Sequence, residues 1–261
     1  MNANHYDLWN ICRTFVGDAC AGRDASHGLA HMETVTRQAV LIFMMNHGAT
    51  ESAEFIARNL SRVIVVAMLH DVNDHKYDDE VGTLAKKVKT FLESIASKLV
   101  IVDGEAEGCA TEAGVVETVM QCTDAISYSK EVKRGMRWFE KTLPSAAWVV
   151  VRDSVSDSDK LEAIGYSGLL RCYEFATHLL KGKGKWEAAL QEHGIDNIGK
   201  ALLYPHVVEH SDEKLLRLKD HFVNTVAGKH LALPLHEEMV VGLKQWEMNG
   251  PPALSAVGIH A

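Results

Sequence analysis

The residues of this chain that stand at spacings suited to chemistry are histidines and aspartates. In "RDASHGLAHMETV", His27 and His31 are four apart, which on a helix puts them on one face about a turn from each other. In "RVIVVAMLHDVNDHKY" a run of aliphatics ends abruptly in His70 and Asp71, with Asp74, His75 and Lys76 crowded into the next turn. An imidazole and a carboxylate that leave an apolar segment side by side carry a desolvation cost, and a bound divalent metal would offset it. A third segment, "VVVRDSVSDSDKLEAIGYSGLLR", delivers another apolar run straight into Asp157 and Asp159. Asp159 or Ser158 reads as the cap of the helix that follows. Asp157 is not explained that way, which makes it the candidate ligand.

Together His31, His70, Asp71 and Asp157 supply two imidazoles and two carboxylates. Such a mixed nitrogen and oxygen set suits Mn²⁺, Fe²⁺, Co²⁺, Mg²⁺ or Zn²⁺ rather than a thiolate-loving metal, and leaves coordination positions for water and a substrate oxygen. Each element also has a plainer reading. His27 and His31 could be exposed histidines at a helix start capped by Ser26 or Asp24, and His70 could cap the carbonyls of a helix end. Asp74 and Lys76 could form an incidental ion pair on a solvated helix end. A zincin is not indicated, because "GLA" separates the two histidines and no glutamate follows the first. A second pair at the same spacing, His206 and His210 in "PHVVEH", has no acid of the metal-binding motifs adjacent and reads as surface or pocket rim.

The elements that must carry these residues are helical. "LAHMETVTRQAVLIFMMNHG" places apolar residues at three- and four-residue intervals before a closing Asn-His-Gly, and "TESAEFIARNLSRVIVVAMLHD" repeats the pattern, with Thr50 as a cap. Further helices are expected over 78–99, 110–126, 158–181, 199–222 and 234–247. "AAWVVVRD" passes locally for a strand, but no alternation elsewhere supports a sheet. The fold class expected is all-α. The glycine-rich stretches at 102–108 and 181–186 read as loops within one domain spanning 1–245, with an accessory helical subregion at 185–245. The tail 246–261 reads as flexible.

Composition narrows the partners. An apolar fraction of 47% in 261 residues provides a sizeable core, while a net charge of -8 with no dominant basic face argues against a nucleic-acid polymer as ligand. Small phosphorylated anions remain candidates. Five cysteines, at 12, 20, 109, 122 and 172, form neither a CxxC pair nor a disulfide framework and fit a reducing compartment. No secretory signal pattern opens the sequence and its longest aliphatic run is far too short to span a bilayer, so a cytoplasmic protein without a membrane partner is expected.

The order His, His-Asp, Asp on helices resembles the HD-domain metal-dependent phosphohydrolase superfamily, most closely its bacterial-type branch. That branch reads "D-x-S-H-D-x-x-H-x-x-R-V", "L-H-D-x-x-D-x-K" and "D-A-D-R-L-D-A-I-G" where this chain has "DASHGLAHMETV", "MLHDVNDHKY" and "SDSDKLEAIG". "AISYSK" at 125–130 and "EHSDEKLLRLKDHFVNTVAGKHLA" at 209–232 look like its later segments, so the resemblance covers about residues 20–245. It implies a single HD-domain helical bundle with additional C-terminal helices, and a divalent ion held by His31, His70, Asp71 and Asp157. It further implies hydrolysis of a phosphoester or phosphoanhydride, with a nucleotide as the expected substrate. Asp74 or His27 would then serve as base, and Lys76, Lys214 and His210 would hold the phosphate. Gly28 stands where the family has Asp, and Thr34 where it has Arg. Those departures favour a rival reading, a catalytically silent module that senses a metal or nucleotide. A di-iron oxygenase of the HD type is a further rival, with His27 and His75 as extra ligands.

Overall fold

The computed structural model describes residues 1–23, 27–74, 77, 82–100, 111–195 and 197–257. Among them are eleven α-helices and no strand, as the helical periodicity predicts. They divide into two compact units, Met1–Asp159 with Thr225–Ala227, and Lys160–Asn224 with Gly228–Ala261.

The first unit is organised around α3 (Ala53–Leu69), in which every residue from Asn59 onward is buried. Ser52 starts this helix by accepting a hydrogen bond from the Phe55 N–H. A helix apolar on all sides must be surrounded. The surrounding elements are α1 (Ala3–Ala19), α2 (Leu29–His47) and α5 (Glu112–Asp124). α1 contributes Leu8, Cys12 and Val16, and α2 contributes Val35, Ala39 and Phe43. No helix was expected before residue 20. α1 is fixed by a reciprocal cap in which the His5 N–H donates to Asn2 Oδ1 and the Asn2 N–H to His5 Nδ1. The other ring nitrogen of His5 then donates to the Ala57 carbonyl of α3. Next to α5 stands α4 (Thr83–Ile95).

The segment with strand character belongs to α7 (Ala146–Glu162), which runs through the aspartates that had suggested a helix start. Its inner surface is largely polar, with Ser154, Ser156, Asp157 and Ser158 buried beside Trp148, Val151 and Val155. The Ser158 hydroxyl donates to the Val35 carbonyl of α2. Arg152 is fully buried, donating through Nε to the Ala125 carbonyl, through one terminal nitrogen to Asp153 and through the other to Glu131 at 2.8 Å. Its guanidinium also lies 3.8 Å from the centre of the Phe139 ring. Glu131, on α6 (Tyr128–Arg134), is equally buried, so this pair ties α6 to α7 with both charges compensated.

The second unit holds α8 (Gly165–Gly182), α9 (Trp186–His193), α10 (Tyr204–His210) and most of α11 (Val226–Asn249). The expected 158–181 helix is interrupted because Gly165 adopts φ +83, a left-handed conformation that ends α7 and starts α8. Trp246 of α11 packs edge-on against Tyr166 and Tyr173 of α8. A Cβ on Gly242 would approach Leu169 and Tyr166 to about 3 Å, so α11 meets α8 closely only with glycine there. One-turn π-helical segments, Gly199–Leu203 and Ser211–Leu215, flank α10. In the tail expected to be flexible, Leu254 is buried and the Tyr173 hydroxyl donates to the Pro252 carbonyl.

Replacing Glu131 by alanine leaves the buried Arg152 guanidinium with one of its two carboxylate partners, Asp153. Such a break costs about 3–5 kcal/mol. Urea unfolding should show a markedly lower midpoint with an unchanged slope.

Candidate functional site

The last turn of α3 sets the site. His70 is the C-cap residue, and one of its ring nitrogens lies 2.8 Å from the Ala67 carbonyl. A carbonyl only accepts, so Nδ1 carries the hydrogen and Nε2 is left facing the other way. That Nε2 is buried and has no hydrogen-bond partner among the described residues. It stands 3.6 Å from Asp159 Oδ1, and the same oxygen stands 3.6 Å from His31 Nε2. The two imidazole rings are 5.2 Å apart and tilted by 59°. Three donors from three helices, α2, α3 and α7, thus converge on one point.

This geometry fits a cation. Ligands at about 2.1 Å from a tetrahedral or octahedral ion lie about 3.0–3.4 Å from one another, close to the separations here. Three protein ligands would leave coordination positions open. A buried Nε2 whose hydrogen is held on the opposite nitrogen is the usual ligand atom of a metal-binding histidine.

A second group lies alongside. His27, Asp71 and Asp74 bring one ligand atom each to within 4.8 Å of one another, and all three are half-buried. His27 sits in the turn before α2, and Asp71 and Asp74 in the turn after α3. The Asp74 N–H donates to the Asp71 carbonyl, winding that turn.

Of the four ligands expected, His31 and His70 meet, Asp71 falls in the neighbouring group, and Asp157 lies elsewhere. Asp157 is fully buried and accepts a 2.7 Å hydrogen bond from the Thr225 N–H. Asp159, expected as a cap, takes its place beside the imidazoles. The reason is helical geometry: two residues on a helix are rotated by about 200°, so these aspartates face nearly opposite ways. Nor does either cap a helix, both lying inside α7.

Arg23 was not anticipated at all. It donates to the carbonyls of Asp71 at 3.0 Å and Val72 at 2.6 Å, and lies over the Tyr77 ring. The residues that depart from the motif are also accounted for. Gly28 is the extended N-cap of α2 and gives no side-chain cap, and the Thr34 hydroxyl donates to the Ala30 carbonyl. His210 and Lys214 belong to the second unit, where the His206 and His210 rings stack at 6.4 Å. Burial, and then the charges of Lys214 and His206, push the His210 imidazole down from its usual range. Lys76 and His75 lie outside the described residues.

The electrostatics of His70 favour positive charge. Burial by itself would lower its pKa, but Asp159 and Asp71 outweigh this and raise it to about 9. Without metal the ring therefore holds a proton where a cation would sit.

Comparison with known proteins adds the fold. No protein-family profile matches the chain, and no curated protein sequence does. Solved structures do match. Bacillus subtilis YpgQ, solved in complex with ADP, is 21% identical over 96% of this chain and 98% of its own, with a TM-score of 0.58. A Lactobacillus plantarum protein is 20% identical over 95% and 97%, with a TM-score of 0.55. A Listeria innocua protein is 16% identical over 95% and 96%, with a TM-score of 0.52. The chain shares the fold of these proteins along nearly its whole length.

Asp159→Ala should abolish tight Mn²⁺ binding in calorimetry while the protein stays folded. Asp157→Ala should keep the ion and lose about 1–3 kcal/mol of stability with the Thr225 hydrogen bond. The metal-free protein should also be pH-sensitive. The folded pKa of His70 lies above its ordinary 6.5, so protonation stabilises the fold fully below about pH 6.5, and this is lost as pH rises through about 9. Thermal unfolding in chelator should show that decline, and His70→Gln should flatten it.

Proposed function

We propose that the chain is a metal-dependent phosphohydrolase of the HD-domain type that cleaves a phosphoester or phosphoanhydride bond in a nucleotide. The observation that carries this reading is the convergence of His31, His70 and Asp159 around the buried, unbonded Nε2 of His70. The fold shared with YpgQ, which has been solved with ADP bound, supports a nucleotide as the substrate class.

In this reading His31, His70 and Asp159 hold a divalent ion and Asp71 completes its ligands. When bound, the ion lowers the pKa of water and polarises a phosphoryl oxygen. The chain's own groups do the rest. Asp74, with His27 beside it, accepts the proton released by the attacking water, for which both are close enough to Asp71. Phosphoryl transfer spreads negative charge over three oxygens, so cations must face it. Lys76 and Lys214 are assigned that role, and His210, pushed toward its neutral form, is assigned that of a hydrogen-bond donor to the phosphate. Arg23 is not available for it, because its terminal nitrogens are engaged by backbone carbonyls.

The rival reading of a silent sensor is favoured by Gly28 and Thr34, since neither offers a charged group at the mouth of α2. The two readings part in one experiment. Phosphate and pyrophosphate release across a panel of nucleotides, with Mn²⁺, Co²⁺ or Mg²⁺ and a chelator control, should show metal-dependent hydrolysis that Asp159→Ala loses. Bound metal with no release from any nucleotide would favour the sensor. Lys214→Ala should raise KM or lower kcat without changing the metal content, as expected of a group that meets substrate only.

A further inference from the structure

We infer that Arg23 is a positioning residue for the group formed by His27, Asp71 and Asp74. For its kinetic consequence alone this rests on the hydrolase reading. Arg23 and His27 lie on the same connection, between α1 and α2, and Arg23 reaches across to the far end of α3. One terminal nitrogen donates to the Asp71 carbonyl and the other to the Val72 carbonyl. The Asp71 carbonyl also accepts from the Asp74 N–H, so both of its acceptor positions are used and the peptide plane after Asp71 is held on two sides.

The same guanidinium lies 4.5 Å from the centre of the Tyr77 ring. The Tyr77 N–H donates to the Asp74 carbonyl, and the Tyr77 ring meets the His27 ring at 5.4 Å with a 51° tilt. The contacts therefore close a circuit: Arg23 to Asp71, Asp71 to Asp74, Asp74 to Tyr77, and Tyr77 back to both Arg23 and His27. Every member of the His27, Asp71 and Asp74 group is touched by that circuit, and Arg23 joins its two chain segments by hydrogen bonds where the Tyr77 and His27 rings join them by contact. Only arginine can bind two carbonyls through its planar fork while presenting the flat face of the same cation to a ring. Lysine, a point charge, can do one or the other.

The test uses Arg23→Lys and Arg23→Gln in the full chain. His27 is followed by the proton resonances of histidine-labelled, metal-free protein, assigned with His27→Gln. Both variants should unfold near the wild-type temperature and still bind Mn²⁺ through His31, His70 and Asp159, with an affinity lowered as far as Asp71 is displaced. Their His27 resonances should move as the Tyr77 ring leaves its place, and kcat should fall about 10–100-fold with KM little changed, the usual cost of losing a residue that orients a site. Unmoved resonances would overturn the inference, as would an unchanged kcat in an active enzyme. Loss of the folded state in both variants would overturn it too, because a stability role needs no positioning. If the wild-type protein hydrolyses none of the nucleotides, the hydrolase reading fails, and the His27 resonances still decide the role of Arg23.

Discussion

The constraint on which the structure turns is the position of one imidazole at the end of an aliphatic helix. α3 is buried on every side along its C-terminal half, so His70 emerges where water cannot solvate it. One ring nitrogen finds the free Ala67 carbonyl that the helix end leaves over. This single hydrogen bond fixes the tautomer and aims the other nitrogen. Once Nε2 points inward, a partner must come from a neighbouring helix, and α2 and α7 deliver His31 and Asp159 to that point. The two descriptions of His70, as a helix cap and as a candidate ligand, are thus compatible, because they call on different atoms of the ring.

Much of this was legible from residue spacing. The all-α class follows from the period of apolar residues, and the aliphatic segment ending in His70-Asp71 announced the site. The rest failed for physical reasons. α1 was missed because its buried positions, Leu8, Cys12 and Val16, make a narrow stripe, and because its cap uses a histidine where glutamate or glutamine would signal a helix start. α7 was misread because its buried face is serine and aspartate, satisfied by hydrogen bonds to α2 and to the Thr225 backbone. Hydrophobic periodicity cannot register a face of that kind. The exchange of Asp157 for Asp159 has the same origin: once α7 is known to be one continuous helix, the two acids must part company, whereas a helix start between them would leave their directions open. Arg23 gave no signal, since its partners are backbone carbonyls about fifty positions away.

Two of the buried sets of charge in the first unit contrast, one around Arg152 and one around His70. Around Arg152 the donors and acceptors match: Nε has a carbonyl, each terminal nitrogen has a carboxylate, and the aromatic face of Phe139 covers the cation. That arrangement holds α6 to α7. Around His70 the balance is broken. Asp159 stands near the His31 and His70 imidazoles, Asp71 and Asp74 stand near that of His27, and the Nε2 of His70 makes no hydrogen bond among the described residues. The upward shift of the His70 pKa shows the same field, because the nearby carboxylates of Asp159 and Asp71 favour the protonated ring against its burial. A buried polar group left incomplete costs stability, and the fold bears that cost here although it compensates Arg152 completely a short way along α7. A divalent ion held by His31, His70 and Asp159 would supply a positive charge at that point, which the arrangement around Arg152 does not call for.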